Sequence, residues 1–421
     1  MMGLPRRLQP LVSVVIPAFN AEPTLARAID SVLAQTVAAN AVEIVVCDDG
    51  STDGTAAVLE GYGDRLIVVR QENKGRGAAR NACLERAKGE FIAMLDADDW
   101  WVPTRLEAGL TAAAKRPDYD VFCANALVVD ANGTIFRALN GEWHVGRSGW
   151  VFPSLLRANF VPFPTVLVRR TAVDMAGPFD ETLPRTQDLE WLLRLAVHSR
   201  FHYDRTPLAW VDNRNWGTAE KQFDTYACFL RVLEKTAKGQ PALVARHASM
   251  YRKSLSDCHS EIAAFWEQRG DHAQAAASYA AALEHTPGVR ILQWRRCVAL
   301  YRAGDFAACE QALLAVLAED EYHVEARFHL GNVRLRDGRN QEAVEQYELA
   351  LYSGYRYQKF PECLNNLAVA LARLGETGRA RELLEQALDQ QCFYSDAMKN
   401  LDILGAGADP LALKWTARKV F

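Results

Sequence analysis

Between Leu11 and about Asp130, short runs rich in β-branched residues, VSVVI, EIVVC, LIVV, FIAML and DVFCA, are separated by stretches of helical character. Runs that are apolar throughout predict strands buried on both faces, and their alternation with helices predicts a parallel α/β sheet. Ligands of such sheets bind outside the carboxyl ends of the strands. After about Gly239 the β-branched runs stop and Ala, Leu, Glu and Arg dominate, so the period turns helical. Gly239-Gln240-Pro241 is the natural break. The expected organisation is an α/β domain over residues 1–238 and an all-α domain over residues 241–421.

Within the helical half glycines recur at Gly270, Gly304, Gly338 and Gly375, spaced 34, 34 and 37 residues apart. Five residues after each comes a small one (Ala275, Cys309, Ala343, Ala380), four later a large one (Tyr279, Leu313, Tyr347, Leu384), and three later Ala282, Val316, Ala350 or Ala387. Glycine permits the turn between two antiparallel helices, the small residues let them approach, and the large one fills the groove between neighbours. The pattern resembles the tetratricopeptide repeat in about four units. That resemblance implies an all-α solenoid with an extended surface for a protein partner.

Of the 421 residues, 49% are hydrophobic and 24% charged, the balance of a chain that folds throughout. A formal net charge of -4 provides no basic field for a phosphate backbone, which argues against nucleic acid as a partner. The nine cysteines form no CxxC pair and read as free thiols of a reducing cytoplasm. No apolar run approaches the ~20 residues of a membrane span. The mildly basic, aromatic C-terminal ALKWTARKVF allows at most a peripheral contact with the inner face of a membrane, and a packed final helix is the competing expectation.

The first strand runs into Pro17-Ala18-Phe19-Asn20, without the glycine-rich turn of a dinucleotide site, and no phosphate loop of the ATPase kind occurs. The second ends in CDDGSTDGT, bringing Asp48 and Asp49 to the strand edge, with Asp53 placed to cap the next helix. FIAML runs into Asp96-Ala97-Asp98-Asp99. Three carboxylates at one strand end repel unless a cation neutralises them, and hard oxygen ligands suit Mg2+ or Mn2+.

VSVVIPAFN, CDDGSTDGT, ENKGRGAARN, LDADD and WWVPTRLE, in this order over roughly residues 11–215, resemble glycosyltransferase family 2. The resemblance implies a GT-A fold, Rossmann-like, acting on nucleoside diphosphate sugars, with a uridine diphosphate sugar as the leading expectation. It implies that Pro17, Ala18 and Asn20 shape the base pocket, that Asp48 or Asp49 binds the base, and that Arg80 helps to hold the nucleotide. Asp96 would contact the ribose or the metal, Asp98 would ligate the metal that bridges the diphosphate, and Asp99 would help to orient the donor sugar. Trp101, among several aromatics, is a candidate face for a sugar ring.

Further on, GPFDETLPRTQDLEWLLRL resembles the acceptor segment of that family, with Gln187 in place of the first acid of its pair and Asp188 as the second. Asp188 is therefore the expected general base of an inverting transfer to a hydroxyl of a glycan, lipid-linked or protein acceptor; helix capping by Asp188, with Glu190 and Arg194 solvated, is the bland alternative. Relatives place a histidine near the end of the domain. Here Val211–Gly217 has none, and Arg214 and Asn215 are its candidate substitutes as phosphate contacts. Gln187 and the missing histidine motivate an alternative of another class, a non-catalytic scaffold that binds proteins through its repeats.

Overall fold

The computed structural model describes residues 10–130, 134–139, 146–212, 218–353 and 360–416. The chain divides into two compact units, Met1–Cys258 and His259–Phe421.

The first unit is built on one mixed sheet. Its strands are β1 (Val12–Ala18), β2 (Val42–Asp48), β3 (Ile67–Arg70), β4 (Phe91–Met94), β5 (Trp100–Trp101), β6 (Val121–Val129), β7 (Ile135–Ala138), β8 (Leu167–Arg169) and β9 (Phe201–Asp212). They lie in the order β3-β2-β1-β4-β8-β6-β9-β5, with β7 paired to β6. Its helices are α1 (Leu25–Leu33), α2 (Thr55–Glu60), α3 (Arg76–Arg86), α4 (Arg105–Lys115), α5 (Phe152–Arg157), α6 (Arg170–Ala176), α7 (Gln187–His198), α8 (Ala219–Gly239) and α9 (Pro241–Arg246).

Both faces of the central strands are buried, as their continuous apolar runs require. Val15, Val45 and Met94 pack on one side with Cys83, Leu155 and Leu192. Val14, Ile16 and Val46 pack on the other with Leu25 and Ile29. The chain steps from β1 outward to β2 and β3, then returns to the opposite side of β1 as β4, all in parallel. That reversal opens a crevice at the carboxyl ends of β1 and β4.

The sheet is not parallel throughout, as the apolar runs led one to expect. β8 pairs antiparallel with both β4 and β6, and β5 antiparallel with β9. β8 has three residues, too few to show a period, and β9 contains Pro207 at a break in its register with β6. Neither announces itself as a strand.

The second unit is all helical. After α10 (Ala248–Gln268), within which the division of the chain falls, come α11 (His272–His285), α12 (Arg290–Ala303), α13 (Phe306–Glu319), α14 (Val324–Arg336), α15 (Asn340–Ser353), α16 (Pro361–Arg373), α17 (Thr377–Gln390) and α18 (Ser395–Gly405). The four periodic glycines have φ of +77, +78, +74 and +90°, each at the turn inside a helix pair. Ala275, Cys309, Ala343 and Ala380 are fully buried, and Tyr279, Leu313, Tyr347 and Leu384 are buried beside them. The longer last period is accounted for between Ser353 and Pro361, where the connection exceeds those before α12 and α14. The described part of the C-terminus, residues 413–416, is packed but not helical. Among the described residues no helix is long and apolar enough to cross a membrane.

Candidate active site

The register that pairs Ala18 with Asp48 brings the loops after β1 and β2 side by side. Asn20, in the left-handed region at φ 47°, accepts from the Thr52 amide through Oδ1 at 2.8 Å, while its own amide donates to Ser51 Oγ at 3.0 Å. The Ala21 amide donates to Thr55 Oγ1 at 2.8 Å. Asp53, expected as the cap of α2, stands one residue ahead of the actual N-cap, Gly54; it accepts from the amides of Thr55 at 3.0 Å and Glu22 at 3.1 Å, and so ties the loops after β1 and β2 together. The outcome is a stiff double loop.

Asp48 and Asp49, inseparable in the sequence, point to different tasks. Asp48 turns inward and accepts from the Ser51 amide at 3.0 Å. Asp49 lines the cleft and accepts from Gln71 Nε2 at 2.7 Å and from the Lys74 and Gly75 amides at 2.9 Å each. It thereby fixes the segment that enters α3. Gly50 is required here: at φ +75°, a Cβ would also meet the Asn73 amide nitrogen at 2.7 Å.

A cleft of about 670 Å³ lies at this edge, lined among others by Pro17, Ala18, Asn20, Asp49, Arg76, Asp96 and Asp98. Gly75, at φ 91°, starts α3, and Gly75, Arg76 and Ala79 line the cleft, so the positive end of the helix faces it. Asp96, Asp98, Asp188 and Asp99 together raise the pKa of Arg76, Asp96 most strongly, against the lowering effect of burial.

Arg80, expected to hold the nucleotide, is instead buried one helical turn below. Its Nη2 donates to Asp96 Oδ1 at 2.7 Å, and its guanidinium lies 4.4 Å from the centre of the Phe163 ring. It positions Asp96 rather than reaching into the cleft. Burial alone would raise the Asp96 pKa; Arg80 and Arg76 override it and hold the group below its ordinary value.

Two expected sugar contacts also face away from the cleft. Trp101 is buried, its Nε1 donating to the Pro164 carbonyl at 2.6 Å, because β5 pairs with β9 and turns the indole inward. Asp99 is buried and accepts from the Asp212 amide at 3.0 Å. Its pKa is pushed well above the ordinary value by desolvation, then by Asp98 and Asp96. Among the described residues no three His, Cys, Asp or Glu side chains converge to hold a metal by themselves. Asp96 and Asp98 still fit a divalent cation in the cleft: both offer hard oxygen donors, and the crowding felt by Asp99 is the kind that positive charge relieves.

Asp188 is the second residue of α7, which starts at Gln187 behind Thr186, a non-glycine residue at φ 59°. Its Oδ2 accepts from Asn159 Nδ2 at 3.2 Å. Gln187 is buried and donates to the Pro184 carbonyl at 3.3 Å. Glu190 is not solvated: it is buried and held by Arg194 and Lys235, both at 2.7 Å. Pro184 and Arg185, just ahead of α7, line the cleft, as does Asp224 of α8. Arg214 and Asn215 lie outside the described residues.

Arg76 and Arg185 are the cleft cations that sequence reasoning passed over. The signal for Arg76 was its place between Gly75 and Gly77 at a helix start; Arg185 carries none.

Residues 13–173 match the model of glycosyl transferase family 2, and residues 296–361 that of the tetratricopeptide repeat. The chain thus carries a glycosyltransferase family 2 domain of GT-A fold followed by tetratricopeptide repeats. An uncharacterized glycosyltransferase of Rickettsia typhi is 28% identical over 272 residues, 62% of this chain and 81% of that protein. The Escherichia coli protein WfaP, a UDP-Glc:alpha-D-GlcNAc-diphosphoundecaprenol beta-1,3-glucosyltransferase, is 42% identical over 98 residues, 23% of this chain and 38% of its own length. The structure of Staphylococcus aureus TarS residues 1–349 in complex with UDP-GlcNAc superposes with a TM-score of 0.50 at 18% identity, covering 70% of this chain and 88% of that one.

Proposed function

We propose that the first unit transfers a glycosyl group from a uridine diphosphate sugar to a hydroxyl of a glycan, lipid-linked or protein acceptor, with inversion and with help from a divalent cation. The observation that carries this reading is the convergence of Asp49, Arg76, Asp96 and Asp98 on one cleft at the carboxyl edge of the sheet, where the strand order reverses between β1 and β4. WfaP, named for a UDP-glucose donor, supports the choice of nucleotide.

In this reading the nucleoside occupies the side bounded by Pro17, Ala18 and Asp49, and the diphosphate lies towards the N-terminus of α3. Asp188 takes the proton as the acceptor oxygen bonds to the anomeric carbon, while the bond from that carbon to the diphosphate breaks on the opposite face. Arg76 and the amides that open α3 face the negative charge gathering on the departing diphosphate, the kind of preorganised stabilisation that is often the largest catalytic contribution. A cation held by Asp98, with Asp96, would neutralise part of the same charge.

The test is calorimetric titration of uridine, guanosine, adenosine and thymidine diphosphates, with and without Mn2+, into the wild type and Asp98→Ala. Mn2+-dependent binding of UDP that the variant loses supports the reading. No binding of any nucleotide would favour the non-catalytic scaffold, in which the cleft is a relic and the repeats carry the function.

A further inference from the structure

Asn159 lies on the connection between α5 and β8 and is itself exposed, yet the chain on both sides of it is anchored. Phe160 and Val161 are buried in the same core as Phe152 and Leu155 of α5 and Leu189 and Leu192 of α7. α5 packs directly against α7. The backbone at Asn159 is therefore fixed relative to the first turn of α7, where Asp188 stands.

Both ends of the Asn159 carboxamide are committed. Its Oδ1 accepts from the Val161 amide at 3.0 Å, an Asx turn that shapes the connection. Its Nδ2 donates to Asp188 Oδ2 at 3.2 Å. Turned end for end, the carboxamide would set a donor against the Val161 amide and an oxygen against the carboxylate, so the two contacts select the same orientation. Aspartate would serve the Asx turn as well as asparagine does. Only asparagine serves the turn and also offers Asp188 a donor.

Among the described residues Asp188 makes no other side-chain hydrogen bond. With Oδ2 held, rotation of the carboxylate about its Cβ–Cγ bond is restrained and Oδ1 is left for a ligand. Asp188 is also one of the carboxylates that raise the Arg76 pKa, and Arg76 lines the cleft, so the carboxylate stands within electrostatic reach of the cleft. A general base must meet its proton at roughly 2.6–3.2 Å, and a carboxylate free to turn would hold that geometry only part of the time.

We propose that Asn159 is the positioning residue of the base: it occupies Oδ2 of Asp188, so that Oδ1 alone meets the hydroxyl of the acceptor. The proposal rests on the reading of Asp188 as the base. In the step it serves, the acceptor oxygen bonds to the anomeric carbon and its proton passes to Oδ1. The bond from that carbon to the diphosphate breaks, and its electron pair leaves with UDP.

The test is hydrolysis of UDP-glucose and UDP-N-acetylglucosamine with Mn2+, water standing in for the acceptor. It compares the wild type with Asn159→Asp, Asp188→Asn and the exchanged pair Asn159→Asp/Asp188→Asn. Asn159→Asp keeps the oxygen that the Val161 amide needs and sets a second carboxylate against Asp188. It should lower kcat about tenfold to a hundredfold, the cost of a misplaced reacting group, while calorimetry shows the affinity for UDP unchanged. The exchanged pair restores a donor opposite an acceptor but leaves no base to position, so its kcat should be no lower than that of Asp188→Asn alone. A wild-type kcat in Asn159→Asp would overturn the proposal, as would a loss confined to UDP affinity, or a further fall of about tenfold in the exchanged pair. A wild type that binds UDP but hydrolyses neither sugar nucleotide would take Asp188 out of the reaction, and Asn159 with it. No binding of UDP at all is the failure of the donor-site reading itself.

Discussion

Arg80 holds Asp96 from beneath: its side chain is 2% exposed, the Asp96 side chain it grips at 2.7 Å is 20% exposed, and Asp96 lines the cleft. One partner is fixed in the core and the other offered to a ligand. Replacing Arg80 by Met keeps the packing against Phe163 and Phe179 but leaves Asp96 without its partner. Removing one member of a buried pair costs roughly 3–5 kcal/mol, and the partial exposure of Asp96 places this case at about 3. Thermal unfolding of the first unit measures the loss. Calorimetry should show weaker UDP binding in the same variant, although Arg80 touches no ligand in the proposed complex.

Arg76 has the opposite character, a cation of the cleft itself. Arg76→Gln removes a cation that Asp96, Asp98, Asp188 and Asp99 favour in the folded state, so it should lower the thermal transition in the absence of ligand, and it should weaken UDP binding by about tenfold to a hundredfold, the range of one charge-assisted contact to phosphate. The wild-type affinity should fall with added salt more steeply than that of the variant. Equal salt dependence would remove Arg76 from the phosphate site.

Asp188→Asn should preserve UDP-sugar binding and lower transfer about 10²- to 10⁴-fold, corresponding to roughly 3–5 kcal/mol of barrier. The variant keeps a side chain to pair with Asn159, so its fold is not at issue. Single-turnover transfer against donor affinity separates the two quantities, and near-normal turnover would take Asp188 out of the mechanism.

Asp99 yields a pH dependence. The folded Asp99 binds its proton more tightly than the unfolded one, so its contribution to stability falls as pH rises above the ordinary carboxylate pKa, until the raised folded pKa is passed. Asp99→Asn keeps an acceptor for the Asp212 amide and abolishes that decline. Without divalent cations its melting temperature should exceed that of wild type, by roughly 2–4 °C for each kcal/mol, and the gap should widen from pH 5 to pH 8. A gap independent of pH would mean that the carboxyl is ionised in the folded protein.

The repeats were legible because their physics is periodic: a left-handed turn and a close helix contact recur at fixed spacing, so Gly304 and Ala343 announce their roles. The strand ends of the first unit were legible for a related reason, since an apolar run that breaks into Asp96-Ala97-Asp98 marks both an edge and a charge problem. Which way a side chain turns at that edge was not. Asp48 and Asp49 differ only by the alternation of a strand into a turn, Arg76 and Arg80 by one helical turn, and Trp101 is drawn inward by pairing with Ala209, over 100 positions away.

Gly331 tests the close packing inside the repeats. It lies in α14, where Ala would favour the helix by about 1 kcal/mol. A Cβ there would lie 2.5 Å from Cε1 of Tyr347, a ring that is fully buried and whose hydroxyl donates to Asn332 at 2.7 Å. The ring cannot retreat without giving up that bond, and overpacking of this kind costs about 1–3 kcal/mol, so the clash wins. Gly331→Ala should lower the melting temperature of the second unit. Gly378→Ala, in α17 with nothing within 4 Å of the added carbon, should raise it or leave it unchanged. Shifts of the same sign in both variants would mean that helix propensity, and not the approach of α14 to the Tyr347 ring, sets the residue at position 331.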